Sequence, residues 1–126
     1  MEENTLLHRQ VHPSFIQGDR LSSLVFSSQT FKPTPKDEKC LSVYNGDKYQ
    51  PDESYEHYVD TEMESVGVVS VSLQECNDIE LPVVEDNIPF DGHSFIDYRE
   101  KSNSQIKKKA TLLKKKATER GWQYRP

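Results

Sequence analysis

The stretch that most constrains this chain is a lysine-rich segment near its end, where residues 102–121 read SNSQIKKKATLLKKKATERG. Ile106, Ala110, Leu113 and Ala117 recur at i, i+4, i+7 and i+11. At about 100° per residue they form an apolar stripe roughly 60° wide, and lysines take the other faces. Ser102 or Asn103 suits the N-cap, and Gly121 stands where helices stop. Trp122 follows, placed to fold back onto the last turn. A stripe this narrow, half of it alanine, lets the helix lie close to a sheet or another helix, which the rest of the chain must supply.

Apolar residues make up 33% of the chain and mean hydropathy is -0.83, while aromatics contribute 10%. Each aromatic buries a large area, so the expectation is a small core with long polar connections. A length of 126 residues suits one domain, 1–126. The sheet candidates are short. TLLHRQVH begins an extended segment that Pro13 ends. LSSLVF, 21–26, reads as a short strand after a Gly18-Asp19 turn, with Phe15, Leu24 and Phe26 as core anchors and His12 at the rim. Pro33 and Pro35 make 31–39 a loop. CLSVY, 40–44, alternates, and NGD after it signals a turn. Pro51 with Asp52 and Glu53 opens a helix over 51–60. SVGVVSVSL, 65–73, is apolar almost throughout and reads as the central strand, buried on both faces and flanked by 40–44 and 93–98. LPVV, 81–84, suits an edge because of Pro82, and HSFIDY, 93–98, reads as the last strand. The predicted fold is α+β: a small, mostly antiparallel sheet, one short helix and the basic C-terminal helix packed on one face.

Charge divides the chain. Residues 1–98 set six basic side chains against 19 acids, a net of -13; residues 99–126 set ten basic side chains against two acids, a net of +8. Such asymmetry points to an interaction surface. Lys107, Lys108, Lys114 and Lys115 are the candidate partner-binding or nucleic-acid-binding residues, although the overall pI of about 5.4 is unlike a nucleic-acid module. The first ten residues carry acids and no apolar run, and no stretch approaches the ~18 apolar residues of a membrane span. A soluble, cytoplasmic chain with no membrane partner is the expectation. Cys40 and Cys76, without a CxxC, read as reduced thiols.

Chemistry-bearing motifs are sparse. No P-loop, GxGxxG or GxSxG occurs. His8 and His12, on an extended segment, would stand about 13 Å apart at 3.3 Å per residue, too far to share a metal, so no metal site is predicted. The nucleophile candidate is Ser42, with His12, His93 and Asp97 as partners for it.

The runs VHPSFIQGDRLSSLVF, PTPKDEKCLSVYNGD, SVGVVSV and GHSFIDY, with the lysine-rich helix ending GWQYRP, resemble a family of small bacterial proteins. The likeness spans 8–126, and its most specific parts are HPSF and PKDEK-x-LSVY. It implies a stand-alone cytosolic protein and carries no activity. A fainter likeness is to the ADP-ribosyltransferase fold, with Arg9 or His12 and Ser42 in the places of that fold's early Arg or His and following Ser, and Glu75 as a positional counterpart of its late Glu. That likeness implies NAD held in a cleft.

The leading functional expectation is a non-catalytic interaction or regulatory protein that binds a protein partner by charge complementarity and needs no cofactor. It rests on the charge split, the small size and the lack of a complete catalytic motif. The alternatives are an enzyme with a cleft around His12, Ser42 and His93 that takes NAD or a nucleotide, and nucleic-acid binding through the helix.

Overall fold

Among the described residues five short strands pair into one antiparallel sheet in the order β3-β1-β2-β5-β4. They are β1 (Leu6–Gln10), β2 (Cys40–Asn45), β3 (Val68–Ser72), β4 (Val83–Val84) and β5 (His93–Asp97), joined by helices α1 (Pro51–Val59), α2 (Leu73–Asp78) and α3 (Asn103–Arg120). A computed structural model describes residues 1–16 and 26–126. The strand and turn expected over 17–25, and the anchor Leu24, lie outside the described residues. Phe26 is buried, and Ile16 forms an isolated bridge with it.

Local sequence accounts for most boundaries. Pro13 starts a 3₁₀ turn, Pro13–Phe15, that takes the chain off β1. After β2 the chain turns at Gly46, whose amide donates to the Leu6 carbonyl at 2.7 Å. A Cβ at Gly46 would collide with that same carbonyl, so only glycine fits. Pro51 occupies the first turn of α1, and the Gln50 amide donates to the Glu53 carboxylate at 2.8 Å. Ser102 and Gln105 cap α3 reciprocally, at 2.9 and 3.3 Å. Gly121, at φ 88°, ends it.

The stripe on α3 is buried as read: Ile106, Ala110, Leu113 and Ala117 expose 4% or less. They pack in one cluster with Leu7, Val11, Leu41, Val43, Val69, Val71, Ile96 and Tyr98, and with Phe31 from the 3₁₀ turn Ser28–Phe31. Trp122 meets Phe26 edge-on at 5.6 Å between ring centroids. Cys40 and Cys76 are free thiols.

The Val-rich strand corrects one expectation. It is buried at every position, but it lies at an edge of the sheet and, among the described strands, pairs with β1 alone. Residues 40–45 and 93–97 pair with each other on the far side of β1. Continuous apolar character reports cover on both faces and says nothing of rank in the sheet. Here α3 lies against β3, α1 also contacts it, and the C-terminal tail closes its outer edge. There Val68 and Tyr124 bridge, the Val68 amide donating to the Tyr124 carbonyl at 2.9 Å. The strand also ends one residue earlier than read. Ser72 and Glu75 form a capping box, at 2.7 and 3.1 Å, and Leu73 begins α2.

Candidate active site

Alternation along the strands puts two chemistries on two faces. Leu7, Leu41, Val43 and Ile96 turn toward α3, so His8, Ser42, Tyr44, His93 and Phe95 turn the other way. On that side lies a cleft of about 360 Å³, walled by α1 through His57 and Tyr58, by Thr61 in the turn after it, and by the β4–β5 connection through Pro89 and Phe90. Among the described residues no Asp or Glu lines it.

Ser42 and His93 meet at its floor. Ser42 stands opposite Phe95, two residues from His93, so the two are diagonal neighbours within reach of an imidazole ring. His93 Nε2 lies 3.1 Å from Ser42 Oγ, and His93 Nδ1 lies 2.6 Å from Asp86 Oδ1. A carboxylate accepts only, so Nδ1 carries the proton and Nε2 is left to accept the Ser42 hydroxyl proton. The result is a continuous Ser–His–Asp line. The imidazole is mostly covered, at 13% exposed, while Ser42 is exposed. The turn before His93 is fixed by Gly92, at φ 98°, whose amide donates to Asn87 Oδ1 at 2.9 Å. A Cβ there would stand 2.5 Å from the Tyr49 ring. Phe90 packs edge-on against His93 at 5.4 Å and close to His57 at 4.3 Å between ring centroids.

The other polar groups of this face are fixed around the line. Tyr44 Oη lies 2.9 Å from His57 Nδ1. Burial pushes the Tyr44 phenol well above its ordinary value, so it stays protonated and donates. His57 then carries its proton on Nε2, which has no acceptor among the described residues. The Tyr58 hydroxyl likewise has none. His8 is buried, with Nε2 donating to the Tyr49 carbonyl at 3.0 Å and Nδ1 facing Ser70 Oγ at 2.7 Å. Burial lowers its pKa, against the opposing effect of the Tyr49 carbonyl, and favours the neutral ring.

His12 does not join Ser42 and His93. Pro13 bends the chain away after β1, and the His12 ring caps the turn, its Nδ1 3.0 Å from the Ser14 amide. Its Nε2 lies 3.3 Å from Glu64, both side chains well exposed, and it does not line the cleft. Asp97, the acid considered for Ser42, is taken by Arg99 in a two-pronged ion pair at 2.9 and 3.0 Å. Glu75 pairs with Arg120 at 2.8 Å and lies outside the cleft. Asp86 was not legible: it is one acid of several in EDNIPFDG, and only the β4–β5 pairing returns it to His93. Lys107, Lys108 and Lys115 stand exposed on α3 and Lys114 is half-buried, while Lys109 ties α3 to α2 by donating to the Ile79 carbonyl at 2.6 Å. Among the described residues no three His, Cys, Asp or Glu side chains are grouped for a metal ion, and no helix is long and apolar enough to cross a membrane.

Comparison with known proteins finds no matching family model, no similar curated protein and no similar solved structure.

Proposed function

We propose that the chain is a serine hydrolase or acyltransferase acting on a small ester or amide, with Ser42 as nucleophile, His93 as general base and acid, and Asp86 as the group that orients the imidazole. The observation that carries this reading is the Ser42–His93–Asp86 line, 3.1 and 2.6 Å, opening into a cleft. It moves the weight from the interaction protein favoured by charge alone to the enzyme alternative, with Asp86 as the acid in the place considered for Asp97 and with His12 outside the cleft.

The chemistry follows from the atoms. Ser42 Oγ attacks the substrate carbonyl while its proton passes to His93 Nε2. Asp86 stabilises the imidazolium through Nδ1–H. The carbonyl oxygen gains the negative charge, and the His57 Nε2–H and Tyr58 hydroxyl on the cleft wall are the donors available to it. His93 returns the proton to the departing alcohol or amine, leaving an acyl group on Ser42. Water, deprotonated by His93, or a second alcohol then releases it.

A fluorophosphonate probe tests this directly, because attack by Ser42 forms an Oγ–P bond and expels fluoride. Stoichiometric labelling at Ser42, absent in Ser42→Ala and in His93→Ala, together with turnover of p-nitrophenyl acetate that both variants lose, is the expected result. An unlabelled wild-type protein whose ester turnover matches Ser42→Ala would sink the reading.

A further inference from the structure

Among the described residues Arg9 is the one Lys or Arg that lines the cleft, and what surrounds it is unusual for a half-buried charge. By alternation Arg9 leaves β1 on the side of Leu7 and Val69, and it comes to line the cleft where β1 and β2 part, pairing between them covering only Leu7 and His8. Nε donates to the Thr30 carbonyl and Nη1 to the Ser42 carbonyl, each at 2.8 Å. Both acceptors are neutral. Arg9 forms no direct ion pair with any described carboxylate, Asp37 standing near enough only to favour its charge at a distance, and the remaining N–H groups of the fork have no described acceptor. Covered charges are normally paired, because neutral partners only partly offset the cost of desolvating an ion. Two carbonyls would be served as well by a neutral amide. The body of the chain is strongly acidic, yet no described Asp or Glu lines this cleft. The Tyr58 hydroxyl and the His57 Nε2–H, both without a described acceptor, line the same space.

Resting on the hydrolase reading, we infer that Arg9 is the anchor for an oxyanion of the substrate, so that the ester or amide opened at Ser42 belongs to a small molecule bearing a carboxylate or a phosphate. A planar guanidinium presents parallel N–H groups that match either anion in two-pronged fashion. Its bond to the Ser42 carbonyl sets the anchor one residue's width from the nucleophile, so the anion and the scissile carbonyl lie close together in the substrate. A cleft of about 360 Å³ holds a molecule of metabolite size.

The test follows the imidazole signals of ring-labelled histidines while inorganic phosphate, and separately acetate, is titrated at constant ionic strength with chloride as the balancing anion. Saturable shifts at His57 and His93 are expected with at least one of the two, and His12, outside the cleft, stays still as the internal control. The anion that saturates at lower concentration identifies the oxyanion class. Ser42→Ala keeps the response. Arg9→Met weakens it at least tenfold, and Arg9→Lys, which keeps the charge and loses the fork, weakens it at least threefold and remains readable if the methionine variant does not fold. No saturable shift in the wild-type protein with either anion, or an affinity that Arg9→Lys leaves unchanged, overturns the inference. Fluorophosphonate labelling without anion binding removes this inference and spares the hydrolase. Anion binding without labelling keeps the anchor and removes the hydrolase.

Discussion

The two faces of the sheet come from the same strands and the same alternation, yet they are held by different physics. Under α3 the contacts are apolar and constrained by volume: Leu7, Leu41, Val43, Val69, Val71 and Ile96 meet Ile106, Ala110, Leu113 and Ala117. On the cleft side the contacts are polar and constrained by direction. Gln10 donates to Ser54 at 3.1 Å, His8 meets Ser70 at 2.7 Å, Tyr44 meets His57 at 2.9 Å and Ser42 meets His93 at 3.1 Å. A core face tolerates exchange among hydrophobes of similar size, whereas a buried polar network loses most of its value when one member is left unpaired. The faces should therefore separate in experiment: damage on one reads as lost stability, damage on the other as lost chemistry.

The largest separation should come from Asp86→Asn. An amide at that position no longer holds the His93 proton on Nδ1, so Nε2 ceases to be the acceptor for Ser42. Ester turnover should fall by about 10³–10⁴-fold, equivalent to about 4–5 kcal/mol of transition-state stabilisation. Asp86 is 27% exposed and the amide is nearly isosteric with its carboxylate, so packing changes little and the melting temperature should move by no more than a few degrees. A variant that unfolds in step with its loss of turnover would erase the distinction between the faces.

Leu113→Ala is the complement. Leu113 is fully buried in the stripe, and truncation should cost about 2–4 kcal/mol through lost transfer free energy and an unfilled cavity. Chemical denaturation measures it, and turnover per folded molecule should remain within about twofold of wild type. Turnover falling tenfold while the protein is still folded would show that the helix face steers the cleft, and the comparison would fail from the other side.

The same contrast explains what the sequence disclosed. Helical periodicity is a property of volume and spacing, so the four stripe positions of α3 were readable one by one. β2 and β5 were readable by alternation. The Val-rich β3 announced that it is covered on both faces, but cover by α1, α3 and the tail around Tyr124 leaves the same signature as a central position. Helix α2 was missed because SVSL runs on like a strand, although the Ser72-x-x-Glu75 box that starts the helix stands in plain view. In the site, Ser42 and His93 were nameable from residue type. Asp86 depends on which of Glu85, Asp86 and Asp91 the hairpin folds back, and Arg9 stood out only through the likeness to the ADP-ribosyltransferase fold, its residue type being that of any polar position in a short strand. Directional contacts are set by tertiary geometry, and residue type alone does not rank them.

The smallest expected effect sits at the boundary between the two faces, at His8, a titratable ring that is buried like a core residue. Its native pKa lies below the ordinary imidazole value of 6.5 because burial penalises the charged ring. Between the two values the unfolded chain binds more protons than the native one, so stability rises with pH through that window. The contribution of His8 is present in full above the ordinary imidazole value and is lost as pH falls below it. Protonating Nδ1 also removes the acceptor for the Ser70 hydroxyl, so the ring loses a partner as it gains a charge. His8→Gln offers an amide donor to the Tyr49 carbonyl and an amide oxygen to Ser70 without titrating. Urea midpoints at pH 7.5 and 5.5 should fall further for the wild-type protein than for His8→Gln. Equal falls would mean that the neutral His8 ring is not what this face depends on, and that its polar contacts tolerate a charge as readily as a surface does.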